Sequence, residues 1–196
     1  NFLKRFKSHK GGFGMAKVLL PLADGFEEIE AISIVDILRR AGIEVVIAGL
    51  HDGYIESARG VKVIPDTTID KVNADEFDMI VLPGGQPGTD NLNKDERVKK
   101  LIQDFYNKGK LTGAICAAPY VLASAGILHG KKATSYPTYK DKLGDVNYLE
   151  ESVVEDSNVL TSRGPGTAAC FALKIVEKLV GKEKADQIQQ ATLFKC

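Results

Sequence analysis

A chain of 196 residues with 44% hydrophobic and 27% charged side chains has enough apolar material for one buried core. Its 26 basic and 26 acidic side chains cancel. Lys4, Arg5, Lys7 and Lys10 fall in an acid-free opening stretch, so the remainder is mildly acidic, with no footprint for nucleic acid or an anionic membrane. No apolar run approaches the roughly 20 residues of a membrane-crossing helix. Three cysteines, Cys116, Cys170 and Cys196, make no disulfide framework and fit a reducing, cytoplasmic setting. The histidines His9, His51 and His129 lack metal-ligand spacing, so no metal site is expected.

Residues 1–14 are basic and end in a glycine-rich joint, which reads as a leader, a disordered arm or the remnant of a targeting segment. One domain is expected over residues 15–196. Residues 16–22 (A-K-V-L-L-P-L) read as a buried strand, Asp24-Gly25-Phe26 as a turn, and residues 27–41 as a helix closed by Gly42. Within that helix Glu30 lies within about 40° of Ile34, Ile37 and Ala41, in the middle of the apolar stripe. Glu27 and Glu28 are accounted for by the helix dipole, and Glu28 is expected to face water. An acid aimed inward is different, because burial raises its pKa and suits it to proton transfer near neutral pH.

Residues 44–49 read as a second strand, and residues 55–66 as a short hairpin with Arg59-Gly60 near its turn. Residues 79–82 (M-I-V-L) form another buried strand, followed by P-G-G-Q-P-G, where Gly84 and Gly85 would let backbone N–H groups approach a ligand. Residues 95–108 are an amphipathic helix. Short strands are expected at 131–134, 147–154 and 158–160, then a loop over 161–167 that opens a long helix, 168–179. Cys170 within it reads as a packed thiol. Strands alternating with helices argue for an α/β fold with a mainly parallel sheet covered on both faces.

The central stretch is residues 111–120, L-T-G-A-I-C-A-A-P-Y. A strand ends at Cys116, small residues flank it, and a helix over 119–125 follows, which is the layout of a nucleophile elbow. A helix N-terminus beneath the sulfur is expected to lower the thiol pKa. Glu30, Gly84-Gly85 and Cys116 each follow a buried strand, so a doubly wound sheet would gather them at one end. Cys116 would then be the nucleophile and Glu30 the proton donor and acceptor. Backbone N–H groups of Gly85 and Ala117 would stabilise an oxyanion. Nothing in this set calls for a cofactor.

The segments D-G-F-E-E-I-E, V-L-P-G-G, A-I-C-A-A-P and L-T-S-R-G-P-G-T resemble the signatures of the ThiJ/PfpI superfamily, in its DJ-one branch, from Met15 to about residue 194. The resemblance implies a flavodoxin-like three-layer sandwich, a homodimer, and an oxidation-prone cysteine at Cys116 hydrogen-bonded to Glu30. It puts the oxyanion glycine at Gly85 and a sulfinate-binding arginine at Arg59. Activities it implies are cofactor-free glyoxalase and deglycation, beside chaperone and oxidative-stress roles. Protease-like members carry a histidine directly after the cysteine; Ala117 stands there, which argues against peptidase activity. Tyr136 replaces a histidine found near the cysteine in some relatives, and can donate a hydrogen bond but cannot act as a base at neutral pH. The expected substrates are small 2-oxoaldehydes such as methylglyoxal, or their thiol and amine adducts. The competing expectation is a redox sensor or chaperone that uses the same thiol.

Overall fold

The sheet is built outward from β1 (Lys17–Leu22), which sends Val18, Leu20 and Leu22 into one hydrophobic layer and Leu19 into another. A strand apolar on both faces belongs inside a parallel sheet, since alternating strands expose one side to water. In the computed structural model the described residues are 14–196. The expected leader over residues 1–14 lies outside them, apart from Gly14.

The other strands of this sheet are β2 (Glu44–Gly49), β5 (Thr67–Thr68), β6 (Met79–Leu82), β7 (Leu111–Ile115), β10 (Val153–Asp156) and β11 (Val159–Ser162). Their order is β10-β11-β7-β6-β1-β2-β5, with every pairing parallel except the β10–β11 hairpin. The chain first winds from β1 towards β5, then returns to β6 and winds the other way. The reversal lies between β1 and β6, and the carboxyl end of such a crevice is where α/β sheets bind ligands. Pro21, in β1, has no N–H to donate. The ladder with β2 nevertheless runs on to Leu22–Gly49, whereas that with β6 covers only Val18–Met79 and Leu19–Ile80. The two strands thus part company just before the loops that carry the site.

Helices α1 (Glu28–Arg40), α5 (Ala168–Leu179) and α6 (Lys182–Thr192) cover one face, burying Ile34, Leu38, Phe171, Ile175 and Ile188 in the layer that holds Val18. Helices α2 (Gly88–Lys94), α3 (Glu96–Asn107) and α4 (Pro119–Ser124) cover the other with Leu92, Ile102, Phe105 and Leu122. This is the expected three-layer sandwich. Two small pairs sit outside the main sheet: the hairpin of β3 (Ile55–Glu56) with β4 (Lys62–Val63), and β8 (Lys132–Ala133) parallel to β9 (Asn147–Tyr148).

Several details depart from the sequence reading. The strand expected over 147–154 is two separate pieces, β9 and β10, which join different sheets. β11 runs on through Thr161 and Ser162, read above as loop, because they pair with Ala114 and Ile115 of β7. Helices α2 and α6 were not foreseen. Cys170 is not a packed free thiol: it is disulfide-bonded to Cys196, with 5.4 Å between the Cα atoms. The two lie 26 residues apart and meet only because α6 turns back along α5. Cys116 is the remaining free cysteine.

Candidate active site

Three loops at the carboxyl ends of β1, β6 and β7 meet at Cys116. The residue has φ 66°, a left-handed conformation that costs a non-glycine residue about 1–3 kcal/mol and needs support from its surroundings. That support is a set of backbone hydrogen bonds: the Cys116 N–H donates to Ser162 O at 3.0 Å, Tyr136 N–H to Cys116 O at 2.8 Å, and Ala118 N–H to Ile115 O at 3.0 Å. Pro119 then starts α4 with its fixed φ and no N–H to leave unpaired. The elbow read from the sequence is present.

Gly84 and Gly85 are needed for close approach. A Cβ on Gly84 would stand 2.7 Å from the Cys116 Cβ and 2.8 Å from Glu30 Oε1. On Gly85, at φ 92°, it would stand 2.4 Å from the Glu27 nitrogen. With neither Cβ present, the Gly84 N–H donates to Glu30 Oε1 at 2.9 Å, and the N–H groups of Gly85 and Ala117 lie near enough to the Cys116 sulfur to favour its thiolate.

Glu30 has no solvent exposure. One carboxyl oxygen takes the Gly84 N–H; the other, Oε2, has no hydrogen-bond partner among the described residues, and the carboxyl lies beside the Cys116 thiol, near enough for each to perturb the other's titration. An oxygen without a donor is where a carboxylic acid keeps its own proton. Burial, reinforced by the charge of Glu27, lifts the Glu30 pKa to about 7, against the lowering effects of the neighbouring Cys116 thiol and of the Gly84 hydrogen bond. The thiol differs from expectation. Burial, and then the adjoining Glu30 carboxylate, push the Cys116 pKa up to about 12, and the N–H groups of Ala117 and Gly85 recover only part of this. A short helix behind the elbow does not overcome desolvation beside an anion. The pair therefore rests as a thiol next to a carboxyl that is half ionised near neutrality, and the carboxylate is the base that can take the thiol proton.

Glu27 is the residue that sequence reasoning passed over. It is 7% exposed, its carboxylate caps α1 by accepting the Glu30 N–H at 2.7 Å, and its own N–H donates to Gly84 O at 2.9 Å. It thereby fastens the β1 loop to the β6 loop. The signal was weak, since Asp, Asn, Ser and Thr are the usual N-caps. Glu28 also departs from its expected watery position: it accepts from the Ser57 hydroxyl at 2.6 Å and from the Arg59 N–H at 2.7 Å, bracing the β3–β4 hairpin against α1.

The remaining expected residues are not gathered as tightly. Arg59 sits on the rim with its side chain 72% exposed, 3.5 Å from Glu28 and 4.0 Å from Glu27, and it reaches Glu30 only through its charge. Tyr136 is joined to Cys116 by its backbone, while its ring is 45% exposed and lies over Gly164. Among the described residues no group of three or more His, Cys, Asp or Glu side chains is assembled to hold a metal ion. Nor is any helix among them long and apolar enough to cross a membrane.

The chain is similar over most of its length to proteins of one family. It is 46% identical over 178 residues to Protein dj-1beta of Drosophila melanogaster, covering 89% of this chain and 95% of that protein. It is 42% identical over 175 residues to the Caenorhabditis elegans protein named glutathione-independent glyoxalase DJR-1.2, covering 88% and 92%. The crystal structure of Drosophila DJ-1beta superposes with a TM-score of 0.90 at 44% identity, covering 93% of this chain and all of that one. The DJ-1/PfpI family model matches residues 16–178, which include the β1, β6 and β7 loops and the elbow they surround, and the chain belongs to the DJ-1/PfpI family.

Proposed function

We propose that this protein is a cofactor-independent glyoxalase or deglycase acting on methylglyoxal-type 2-oxoaldehydes or on their thiol and amine adducts. The observation that carries the reading is the fully buried Glu30 carboxyl beside the free Cys116 thiol, its pKa lifted by burial to about 7. The similarity to a glyoxalase of the same family supports it. In this reading the Glu30 carboxylate takes the thiol proton as the Cys116 sulfur adds to the aldehyde carbon, then passes it to the carbonyl oxygen, giving a hemithioacetal and regenerating the carboxylate. The carboxylate then removes the hydrogen from that carbon and returns it to the neighbouring one through an enediol, leaving a 2-hydroxyacyl thioester. Water cleaves the thioester, releasing the 2-hydroxy acid and restoring the thiol. The N–H groups of Gly85 and Ala117, which lie beside the sulfur, would stabilise the oxygen that gains charge. Arg59 and Tyr136 belong to the mouth of the site, with Tyr136 a hydrogen-bond donor to substrate, and Gly84 to its wall.

The test is methylglyoxal loss and lactate formation without glutathione in wild type, Cys116→Ser and Glu30→Gln. Turnover lost in both variants is the expected result. A wild type without turnover would sink the activity, and full turnover in Glu30→Gln would sink the mechanism. The alternative, an oxidative-stress sensor or redox-regulated chaperone, draws on the same two N–H donors, which suit a sulfinate as well as an oxyanion. Its weakness is the raised thiol pKa, because oxidation proceeds through the thiolate.

A homodimer belongs to the same proposal. Ile29 and Ile32 on α1 are 58% and 43% exposed, and Val61 and Ile64, on and beside the hairpin that Glu28 braces, are 49% and 84% exposed. Light scattering should give twice the chain mass, reduced by Ile32→Asp. The proposed setting is the cytoplasm, where a free thiol such as Cys116 is kept reduced.

A further inference from the structure

The Cys170–Cys196 bond lies outside the site just described, and its surroundings differ from those of a buried structural disulfide. Cys170 is the third residue of α5, partly buried, and Cys196 is exposed. Around them is a cavity of about 490 Å³ whose lining includes Ser152, Thr167, Lys174, Gln189 and Lys195. Such a space admits a small polar molecule to the sulfurs. After α6 the chain turns at Leu193, in a left-handed conformation at φ 63°, and brings residues 194–196 back over α5. This returning segment buries little: Leu193 is 84% exposed and Phe194 43%. It also makes a long contact with α5, 3.9 Å between the Cys170 sulfur and Lys195 O. The covalent bond, rather than packing, holds the segment down.

We propose that Cys170 and Cys196 form a second, reversible thiol–disulfide site, open to small thiols of the glutathione class, whose reduction frees residues 193–196 from α5. In the reducing direction a thiolate attacks the exposed Cys196 sulfur and forms a mixed disulfide there, and the S–S bond breaks with its electron pair going to Cys170. A second thiol then attacks the mixed disulfide, so that two thiols are oxidised to one small disulfide and the protein gains two thiols. The reverse direction consumes a small disulfide of the same class. The order of attack follows from position. Cys196 is the reachable sulfur, while Cys170 lies in the first turn of a 12-residue helix with Lys174 one turn on, where a departing thiolate is stabilised.

The experiment is to equilibrate the folded chain, without denaturant, in mixtures of reduced and oxidised glutathione, quench with acid, alkylate and identify each cysteine by peptide mass spectrometry. Cys170 and Cys196 should open and close together in one two-electron step while Cys116 stays out of the bond. Hydrogen exchange should show residues 193–196 exchanging like a free segment only after reduction. The Cys170→Ser variant, which alters no residue of the elbow, should take up a glutathionyl group on Cys196. A bond that survives excess reduced glutathione in the folded protein would overturn reversibility. Two free thiols in the presence of oxidised glutathione, or a bond made with Cys116, would overturn the pairing.

Discussion

Cys116 and the Cys170–Cys196 pair sit at opposite limits of what a protein can do with sulfur. At the elbow the thiol is fixed in a left-handed backbone, hemmed in by the Gly84-Gly85 loop and set beside a buried carboxyl. At the disulfide the sulfurs lie on one helix and an exposed return segment, beside a cavity of about 490 Å³, with no fully buried group between them and solvent. The difference teaches that reactivity at the elbow comes from the neighbour that moves the proton, since burial has made the thiol itself a poor acid. At the pair, reactivity comes from access. Chemistry on Cys116 should therefore depend on Glu30, and chemistry on Cys170 and Cys196 should be indifferent to it.

Glu30→Gln is the largest expected break. Glutamine keeps the shape and can still accept the Gly84 N–H, but it cannot take a proton from the thiol. A positioned general base contributes on the order of 10²–10⁴-fold, and kcat/KM for methylglyoxal should fall by that much. Glutathione exchange at Cys170–Cys196 in the same variant should be unchanged. Equal losses at both sites would mean that the substitution had loosened the whole fold, and the comparison between them would collapse.

The pH dependence follows from the same carboxyl. Its folded pKa, about 7, lies above the ordinary carboxyl value of 4.5, so the folded state holds the proton more tightly than the unfolded chain. The stability due to this group is fully present below about pH 4.5 and declines as pH rises through about 7, by about 3 kcal/mol in all. Activity moves the opposite way. kcat/KM should climb with ionisation of Glu30 and level off above about pH 7, without a further rise at ordinary thiol pKa values. Denaturant midpoints from pH 5 to 8, set beside rate profiles over the same range, check both signs. In Glu30→Gln both dependences should flatten.

The elbow was legible in sequence because its signals are local. Ala114 and Ala118 flank Cys116, and Glu30 falls on the apolar stripe of α1 by helical angle alone. What was not legible depends on chain segments that meet only in the fold. Glu27 reads as an ordinary first-turn acid until Gly84 comes up against it. The thiol pKa followed the helix dipole in the sequence reading, whereas the structure makes desolvation the larger effect. The disulfide needs α6, and α6 is nearly silent in sequence, because its only buried residues are Ala185 and Ile188. α2 hides in the same way behind a polar sequence, G-T-D-N-L-N-K.

Cys170→Ser sharpens the contrast from the other side. The 26-residue separation gives a loop-closure contribution of about 3 kcal/mol in the chain-entropy model. The free energy of unfolding without reductant should drop by up to that amount, and a reductant should bring wild type down to the variant. Turnover of methylglyoxal should be the same in both. A large loss of activity would show that α5, whose first turn follows the Ser162–Thr167 loop beside the elbow, transmits the state of the disulfide to Cys116.

Arg59→Ala should have the smallest effect, and it decides how far the elbow's electrostatics extend. Sequence resemblance suggests Arg59 as a contact for an oxidised sulfur, yet its guanidinium is 72% exposed and paired with Glu28 and Glu27. Its charge lowers the Glu30 pKa, but this is the last of five influences on that group. An exposed charge of this kind is screened by water and salt, and its loss should cost less than about 1 kcal/mol. The activity midpoint near pH 7 should move upward, because a cation that favoured the carboxylate has gone, and the displacement should shrink further as salt is added. A large displacement that salt did not reduce would mean that the arginine turns inward when substrate or oxidant arrives. The elbow would then be tuned by a mobile rim as well as by its buried walls.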